Sequence, residues 1–514
     1  MLAKIKSFGL QGIKGYDVCI EIDINNGLPS IEMVGLPDAS IKESKERIRS
    51  AIKNSKFKFS PSKVTINLAP ADTKKEGATY DLPIAIGVLA ATGQIDLGEF
   101  VDTIMMGELS LDGQLRPIKG ILPALIEARA KGTQTFFIPK DNESEASFVE
   151  GITVYSFSSL LEVTEFLQSG IKDPIQKHDI RDHIKGIKQD FDFKYVKGQF
   201  AAKRALEIAA SGGHNVLMIG PPGAGKTLLA RCIPTILPDM TIDEVLETTK
   251  IHSVVGVLPE GSGVVIHRPY RSPHHTATMI ALAGGGNAAR PGEISLAHNG
   301  VLFLDELLEY PRQTLEILRQ PLEDNKITIS RAARNVEYPA SFMLVASMNP
   351  CPCGYYGSEI VECKCTPAQI VKYMAKLSGP LLDRIDIHLE IDNVTYDDLA
   401  SKTDAEPSID IRKRVNKARE IQLARYSNAI NDGRGVYCNA KISNQSVKEH
   451  CTLDSTGESI IRHAFDQLKL SARSYIRILK VARTIADLDE SKNIMPIHIA
   501  EAIQYRSLDR KYWQ

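Results

Sequence analysis

The sequence predicts an α/β protein built around a glycine-rich loop and ending in a helical region. Three observations support this class. Residues 215–219 form an apolar, strand-like run that leads into the glycine-rich segment 220–227, and a helical segment follows. Residues 301–304 are apolar and are followed by two acids, as at the end of a central parallel strand. Beyond residue 396, long segments carry apolar residues at helical spacing.

The composition is ordinary for a water-soluble protein of several domains. The 514 residues are 43% hydrophobic and 24% charged, which suits roughly two to four domains with cores of their own. No apolar run approaches the roughly 18 residues that span a bilayer. The first residues also lack the apolar stretch and cleavage site of a secretory signal. We therefore expect a cytoplasmic protein with no membrane partner.

The charges of the chain nearly cancel. It carries 62 basic and 63 acidic residues, a net charge of −1. The whole molecule thus lacks the basic excess that is typical of nucleic-acid binders. Any contact with DNA must be made by a local cluster.

Changes in sequence pattern divide the chain into four segments. The first alternates β-type and helical runs. The second is polar and charged, the third is again α/β, and the fourth is mostly helical. We predict an α/β N-terminal domain over residues 1–169, a linker over 170–190, an α/β core over 191–395 and a helical lid over 396–514.

The glycine-rich segment matches the phosphate-binding loop pattern G-x-x-x-x-G-K-[ST]. Glycines let backbone N–H groups wrap around phosphates, and the next helix adds a favourable dipole. We expect Lys226 to neutralise the β- and γ-phosphate oxygens of ATP, and Thr227 to hold Mg²⁺. A chance glycine-rich turn is the alternative, but a strand and a helix flank the motif. The predicted loop residues are Gly220, Pro221, Pro222, Gly223, Ala224, Gly225, Lys226 and Thr227.

The acids after the second strand are candidate catalytic residues. Parallel sheets place ligands at the carboxyl ends of their strands. Asp305 is expected in the Mg²⁺ shell, and Glu306 is expected to orient and polarise the attacking water. The alternative is that the two acids are simply exposed to solvent at the end of the strand. The phosphate-binding loop upstream makes this alternative much weaker.

A third strand, FMLVASMNP, ends at Asn349, whose side chain could bond the attacking water or the γ-phosphate. With this strand the pattern resembles the AAA+ superfamily, in which Asn349 occupies the sensor-one position. The same resemblance makes Arg384 the arginine finger that reaches a neighbouring subunit's nucleotide. It makes Arg473 the sensor-two arginine of the lid, with Arg477 as the competing choice. An ordinary surface ion pair is the alternative for each arginine.

Four cysteines form two C-x-C pairs within residues 351–365. Four thiolates suit a closed tetrahedral zinc site, and Gly354 and Gly357 permit a tight turn between the pairs. The one-residue gap is shorter than that of common zinc ribbons, and reduced surface thiols are the alternative. We predict a structural zinc site at Cys351, Cys353, Cys363 and Cys365, directly after Asn349.

Part of the first domain resembles the peptidase domain of Lon proteases, which uses a serine–lysine pair. The similar segments are GATYDLPIAIGVLAATG, GELSLDGQLRPIKGILPALIEA and FFIPKDNE. The nucleophile's place falls at about Thr79, but residues 121–125, where the lysine belongs, contain none. A hydroxyl without its base is a weak nucleophile. The resemblance therefore implies the fold without the activity, although Lys119 lies a few residues away.

Five segments, spread over essentially the whole chain, indicate a more specific family within the AAA+ superfamily. They are VGLPDASIKESKERIRSAI, NLAPADTKKEGATYDLPIAIGVLA, RPYRSPHHTATMIALAGGG, ARPGEISLAHNGVLFLDELLEY and NPCPCGYYG. Together they resemble the YifB/ComM family of Mg-chelatase-like AAA+ proteins. The resemblance implies a homo-hexameric ring that hydrolyses ATP and drives DNA branch migration in recombination, known best in natural transformation.

Two segments that interrupt the core are candidate DNA contacts. The first follows the phosphate-binding loop and is rich in glycine; the second alternates like a β-hairpin just before the third strand. In rings of this type such loops face the central pore, where positive charge would meet phosphates. Ordinary surface pairs with Glu293 and Glu337 are the alternative. The candidate DNA-binding residues are Arg271, His274, His275, Arg331 and Arg334.

Three functions from different classes remain open. A DNA motor uses all of the features together. A metal-chelatase motor subunit would explain the core but neither the cysteine pairs nor the Lon-like domain. An ATP-dependent peptidase lacks its catalytic lysine. ATPase turnover stimulated by DNA, by a porphyrin-chelatase partner or by unfolded protein would distinguish them.

Overall fold

The computed structural model describes the chain except for residues 1, 60–61, 184–190, 260, 287, 332–333, 359, 401–404, 428–435, 509–511 and 513–514. A seven-stranded sheet organises the N-terminal part and a five-stranded sheet the centre. Helices make up most of the remainder. The predicted class, an α/β core with a helical lid after an α/β N-terminal domain, is confirmed. Within the described ranges, no helix has the length and apolar character needed to cross a membrane.

The N-terminal sheet has the strand order β3-β4-β2-β1-β5-β8-β9. Its central strands β1 and β2 form a long antiparallel hairpin, and β2 alternates buried and more exposed residues, as a half-covered strand should. Short strands β6 and β7 pair separately. The strands are β1 (Leu2–Gln11), β2 (Lys14–Asn25), β3 (Ser30–Val34), β4 (Lys63–Ala69), β5 (Ile104–Met105), β6 (Glu108–Leu109), β7 (Leu115–Arg116), β8 (Thr135–Pro139) and β9 (Thr153–Phe157).

Helix α2 lies inside the N-terminal domain and is buried on almost every side. This explains its continuous apolar sequence, since a helix with no solvent face needs no polar stripe. Helix α3 packs on the opposite side, with Leu122 and Leu125 in a separate core cluster. The helices are α1 (Ala39–Asn54), α2 (Asp81–Ala91), α3 (Ile121–Ala130), α4 (Glu143–Ala146) and α5 (Leu160–Ser169).

The first half of the predicted linker lies along the N-terminal domain. The Ile175 N–H donates to the Val154 carbonyl at 2.9 Å, and the His178 N–H donates to the Ser147 carbonyl at 3.2 Å. A short helix, α6 (Ile180–His183), follows. The remaining predicted linker residues, 184–190, lie outside the described part of the chain.

The central sheet is parallel, with the order β11-β14-β17-β10-β18. Strands β10, β14 and β17 are buried along their whole length, which accounts for their unbroken apolar runs. Two further hairpins, β12–β13 and β15–β16, pair separately from this sheet. The strands are β10 (Val216–Ile219), β11 (Tyr270–Arg271), β12 (Gly284–Gly285), β13 (Arg290–Pro291), β14 (Val301–Leu304), β15 (Lys326–Arg331), β16 (Arg334–Pro339), β17 (Met343–Met348) and β18 (Ile387–Glu390).

The helices of this core pack around the sheet, and α9 contacts the N-terminal domain. The Ser253 carbonyl of α9 accepts the Gly120 N–H of the N-terminal domain at 3.1 Å. The helices are α7 (Phe200–Gly212), α8 (Lys226–Ile236), α9 (Ile242–Val255), α10 (Met279–Ala283), α11 (Glu293–Leu296), α12 (Arg312–Glu316), α13 (Arg319–Asp324), α14 (Pro367–Met374) and α15 (Gly379–Leu382).

The C-terminal helices share one hydrophobic cluster with the core sheet. Ile478 and Ile485 belong to the same buried cluster as Val216 and Met218 of β10. The described helices here are Tyr396–Ala400, Ser408–Arg425, Asn444–His450, Ser455–Leu468, Ala472–Leu488 and Pro496–Gln504. The lid is therefore fused to one side of the sheet through a continuous core.

Candidate nucleotide site

Three adjacent strands bring the predicted nucleotide residues to one edge of the central sheet. Strands β14, β17 and β10 are parallel neighbours, so their carboxyl ends lie side by side. Gly220 follows β10, Asp305 follows β14 and Asn349 follows β17. This edge is where α/β sheets bind ligands.

The phosphate-binding loop needs glycine for its backbone conformation. Gly223 and Gly225 have φ angles of 80° and 89°, in a region that other residues rarely adopt. An added Cβ at either position would meet no atom within 4 Å, so the requirement is conformational and not one of space. Helix α8 begins at Lys226, which directs its N-terminal N–H groups at the loop.

All three donors of the Lys226 ammonium have acceptors. Nζ donates to the Gly220 carbonyl at 2.6 Å, the Pro221 carbonyl at 2.9 Å and Asn349 Oδ1 at 3.1 Å. Burial lowers the pKa of Lys226 to about 8, and the Asp305 and Glu306 carboxylates oppose that shift. The lysine and Asn349 thus converge on one point, as two groups that share a phosphate must.

The residues at this edge fit a magnesium ion. Thr227 Oγ1 donates to Asp305 Oδ2 at 2.8 Å, so two oxygen ligands of the kind that Mg²⁺ prefers are adjacent. Ser347 Oγ contacts the other Asp305 oxygen and orients the carboxylate. Sequence reasoning missed Ser347, although a hydroxyl two residues before Asn349 in an apolar strand was a usable signal.

Glu306 is held by a histidine from the glycine-rich insertion. Its backbone has a φ of 50°, and its Oε2 lies 3.2 Å from His275 Nδ1. Tyr310 fixes the same loop, because its hydroxyl donates to the Pro273 carbonyl at 2.7 Å and its ring meets His275 edge-on. The sequence suggested His275 as a DNA contact and gave no sign of this pairing with the acid.

Arg384 and Arg473 lie together at the opposite end of the sheet. They line a cavity of about 360 Å³ with Asn215, which precedes β10, and Asp386, which precedes β18. Arg384 donates to the Pro380 carbonyl at 2.7 Å and contacts the Glu323 carboxylate. The phosphate-binding loop lies at the carboxyl ends of the parallel strands, whereas these arginines lie at the amino ends. Neither arginine therefore lies beside Lys226 of its own chain.

Arg477 occupies the same cavity as Arg473 but is engaged differently. Its guanidinium contacts the carboxylate of Asp386, which is fully buried, whereas Arg473 is exposed. Arg477 thus neutralises a buried acid within the chain. Of the two competing lid arginines, Arg473 is the one whose position leaves it open to another molecule.

The four clustered cysteines come together as zinc ligands would. Their sulfurs all lie within 4.8 Å of one another, with Sγ–Sγ distances of 3.3 Å (Cys351–Cys353), 3.7 Å (Cys351–Cys363) and 3.6 Å (Cys353–Cys363). Tetrahedral zinc with Zn–S bonds of about 2.3 Å places sulfurs about 3.8 Å apart. The donor set of four thiols, completed by Cys365, therefore fits zinc.

The cysteine loop rests directly on the phosphate-binding loop. Gly354 and Gly357 have φ angles of 87° and 80°, as their predicted turn requires. A Cβ on Gly354 would lie 2.6 Å from Cδ of Pro222, so the two loops are in close contact. The cysteine cluster thus braces the nucleotide site.

The candidate DNA residues differ in their surroundings. Arg271 forms a two-pronged ion pair with Glu293, at 2.6 and 2.7 Å, which is the surface-pair alternative that the sequence allowed. His274 is exposed; it stacks on His275 and bonds to Thr276 at 2.9 Å. The predicted hairpin is present, and Arg331 and Arg334 are opposite each other in its backbone register, at its end. The side chains of these two arginines lie outside the described part of the structure.

The Lon-like cleft is covered by the core. Thr79 lines a cavity of about 150 Å³ that is closed by Val254, Arg290 and Tyr338 of the central domain. Lys119 lines the same cavity but packs on Gly256. Residue 122, in the lysine's segment, is a fully buried leucine. Residues of the central domain thus line the place where a polypeptide substrate of a Lon-like site would bind.

Comparisons with protein families define the class of this chain. Three models match: "Subunit ChlI of Mg-chelatase" over residues 20–142, "Magnesium chelatase, subunit ChlI" over 192–399 and "Magnesium chelatase, subunit ChlI C-terminal" over 405–506. The fold and the nucleotide site are thus those of a Mg-chelatase-like AAA+ protein. Membership of this class implies ATP and Mg²⁺ as its ligands.

Comparison with individual proteins narrows the class. The chain is 42% identical to the competence protein ComM of Haemophilus influenzae, over 99% of this chain and 98% of that one. It is 42% identical to the uncharacterized protein YifB of Escherichia coli, over 97% and 96%. Similarity to the magnesium-chelatase 38 kDa subunit of Rhodobacter capsulatus is 26% and covers 31% of this chain and 50% of that one. The chain belongs to the YifB/ComM family.

Proposed function

We propose that the chain is the subunit of a hexameric ring that hydrolyses ATP to move on DNA, acting as a branch-migration helicase in recombination or natural transformation. The observation that carries the proposal is the convergence of Lys226, Thr227, Asp305, Glu306 and Asn349 at one sheet edge. Near-full-length similarity to a protein named for competence supports DNA as the substrate.

The residues divide the chemistry of phosphoryl transfer among them. Lys226 and the loop N–H groups bind the phosphates, and Thr227 and Asp305 would hold Mg²⁺, which supplies charge neutralisation when bound. Glu306 orients and polarises the attacking water, and Asn349 bonds that water or the γ-phosphate. Positioning and electrostatics account for most catalysis of this kind.

The separation of the arginines from the chain's own loop supports a ring. Arg384 and Arg473 lie beyond the far end of the sheet from the chain's own loop, so a nucleotide that they contact would belong to a neighbouring chain. Arg384 is buried and contacts Glu323, so it would have to leave this ion pair to act as a finger. Repeated head-to-tail contacts that close produce a ring. In this arrangement Arg384 is the finger and Arg473 the sensor of the next subunit's ATP.

Two observations support DNA contact through the pore loops. Arg331 and Arg334 are the last pair of the β15–β16 hairpin, at the end away from its base. The other insertion reaches Glu306 through His275, so a ligand that moves this loop would also move the catalytic acid. Contacts to phosphates would make binding depend on salt and little on sequence.

The cysteine cluster is proposed to hold a structural zinc ion. Its thiol geometry fits the metal, and its contact with Pro222 gives the metal a mechanical role beside the nucleotide. A closed four-sulfur site leaves no position for substrate. Zinc therefore takes no part in hydrolysis.

The two other functions have weaker support. A peptidase would need a base beside Thr79 and an open cleft, and residue 122 is a buried leucine in a covered cleft. A chelatase motor shares the matched family models, including the one over residues 20–142. The alignment with the R. capsulatus subunit, however, is 26% identical over 31% of this chain, whereas ComM is 42% identical over 99%.

Stimulation of ATP turnover tests the proposal. The purified chain is assayed with single-stranded or branched DNA, with a chelatase partner and porphyrin, or with unfolded protein, and Glu306→Gln serves as the control for contaminating ATPase. We expect DNA alone to raise turnover, and no turnover from Glu306→Gln. Stimulation by one of the other two and not by DNA would replace the proposed function with that alternative.

A further inference from the structure

A concentrated patch of positive charge lies on the N-terminal domain. Residues 47–71 contain six basic residues and no acid, in a chain whose total charge is close to zero. Two of the six are paired, Arg47 with Asp81 at 3.0 Å and Lys63 with Glu32 at 3.2 Å. The other four, Arg49, Lys53, Lys56 and Lys58, are exposed, and in the described part of the chain none forms an ion pair with a carboxylate.

The backbone places these four cations close together along the chain. Arg49 and Lys53 are four residues apart in α1, on one helix face, and Lys56 follows two residues after the helix ends. The chain then turns, with Lys56 at a φ of 68°. Gln94 fixes the next segment by bonding the Lys58 N–H at 2.9 Å and the Lys58 carbonyl at 2.8 Å.

Aromatic rings alternate with these lysines. Phe57 and Phe59 pack partly against the domain core and remain partly exposed. The Arg49 guanidinium lies 6.0 Å from the Phe59 ring centre. Cations beside accessible aromatic faces are typical of proteins that bind single-stranded nucleic acid, because the cations follow the phosphates and the rings stack on bases. The partly exposed rings favour nucleic acid over an acidic protein surface as the occupant, because bases can stack on them.

We propose that Arg49, Lys53, Lys56 and Lys58, together with Phe57 and Phe59, form a single-strand binding surface, here called the α1 patch. This inference rests on the proposed function. It adds a second contact for DNA, outside the AAA+ core. Glu46, one turn before Arg49, marks the edge of the patch. A strand bound here would be held by the N-terminal domain while the core hydrolyses ATP.

The test compares two variants of the full chain that have the same net charge. One carries Lys53→Gln, Lys56→Gln and Lys58→Gln, and the other carries Lys448→Gln, Lys469→Gln and Lys492→Gln, which change exposed lysines of the lid. Fluorescence anisotropy measures the binding of labelled oligothymidylate at several salt concentrations. We expect the patch variant to lose at least about tenfold in affinity at low salt and to flatten the log–log salt slope by about 2, since each phosphate contact on a single strand contributes about 0.7. The lid variant should match the unmodified chain.

A second variant separates stacking from charge. Phe59→Leu should weaken single-strand binding more than duplex binding and leave the salt slope unchanged, because it removes a ring and no cation. Equal affinities and slopes for the patch and lid variants would overturn the patch, and so would a patch variant that loses polyglutamate binding as strongly as oligothymidylate binding. In either case the proposed function stands if the unmodified chain binds DNA, and it fails if the unmodified chain does not.

Discussion

Lys226 illustrates how a single buried charge couples ligand binding to pH. Burial lowers its pKa to about 8, so the ammonium form dominates below that pH and is lost above it. Phosphates attract the charged form only, so binding at higher pH must take up a proton. Nucleotide affinity should therefore fall by up to about tenfold per pH unit above about pH 8. Calorimetry in two buffers of different ionisation enthalpy measures the proton uptake directly. An affinity that is constant from roughly pH 7 to 9.5 would show that Lys226 keeps its charge throughout.

His275 offers a second test at the scale of one residue. His275 Nδ1 lies 3.2 Å from the carboxylate of Glu306, the residue proposed to orient the attacking water. We expect this contact to withdraw the carboxylate partly from that proposed role. His275→Ala should therefore raise ATP hydrolysis in the absence of DNA and reduce the further stimulation by DNA, with nucleotide affinity unchanged. His274→Ala is the matched control, since His274 bonds to Thr276 and not to the acid. Lower turnover in His275→Ala with normal affinity would mean that the histidine assists Glu306.

The residues that sequence reasoning located belong to short local patterns. Gly220, Lys226, Asp305 and Asn349 each follow a strand, so the strand pattern alone places them at one edge. Ser347 and His275 act through contacts with residues tens of positions away. No local pattern contains such contacts, which is why these two roles required the folded chain.

At the scale of elements, the proposed zinc site would link metal binding to nucleotide binding through the cysteine loop. Replacing Cys351 and Cys363 by Ser should remove one zinc per chain and loosen the loop that presses on Pro222. Structural zinc is worth roughly 10–16 kcal/mol of apparent binding in small peptides, so the local loss should be large. We expect weaker ATP binding as well as loss of metal. Elemental analysis of protein purified without chelator gives the stoichiometry, and the absence of metal from the unmodified chain would refute the site.

The proposed DNA contact in the AAA+ core is made by the β15–β16 hairpin. Arg331→Ala with Arg334→Ala should weaken DNA binding and flatten its salt dependence, because two phosphate contacts are lost. ATP turnover without DNA should persist, since the hairpin lies outside the nucleotide residues. Lys326→Ala is a suitable control, because Lys326 is paired with Glu337 at 2.9 Å at the base of the hairpin. An unchanged salt slope in the double variant would move the DNA path elsewhere, with the α1 patch as the next candidate.

The helices and strands were predicted more accurately than the way they pack against one another. The apolar runs of β14 and β17 and the long lid helices follow directly from their periodicity. How the lid packs against the sheet depends on a core shared by Val216, Ile478 and Ile485. That tertiary packing determines where Arg473 lies, and no helix pattern contains it. The α1 patch was not predicted for a different reason. Acidic residues elsewhere balance its positive charge, so the net charge of the chain does not reveal it.

At the scale of the whole molecule, the proposed ring implies that each ATP site is shared between two chains. In this ring one chain would supply the phosphate-binding loop and the next would supply Arg384 and Arg473, so an isolated chain would hold only parts of two sites. Loss of either half should abolish hydrolysis, while only loss of Lys226 should abolish nucleotide binding. A missing arginine finger lowers turnover by about a thousandfold or more in related phosphoryl-transfer enzymes.

Mixing two inactive variants tests this claim most directly. Lys226→Ala subunits bring an intact Arg384, and Arg384→Ala subunits bring an intact loop. In randomly mixed rings roughly one junction in four joins the two intact halves, and DNA-stimulated ATP turnover should recover in proportion. Each variant alone, at the same total concentration, should remain inactive. Recovery that peaks near equal mixing is the predicted result, whereas no recovery at any ratio would show that the two halves do not act across a subunit interface.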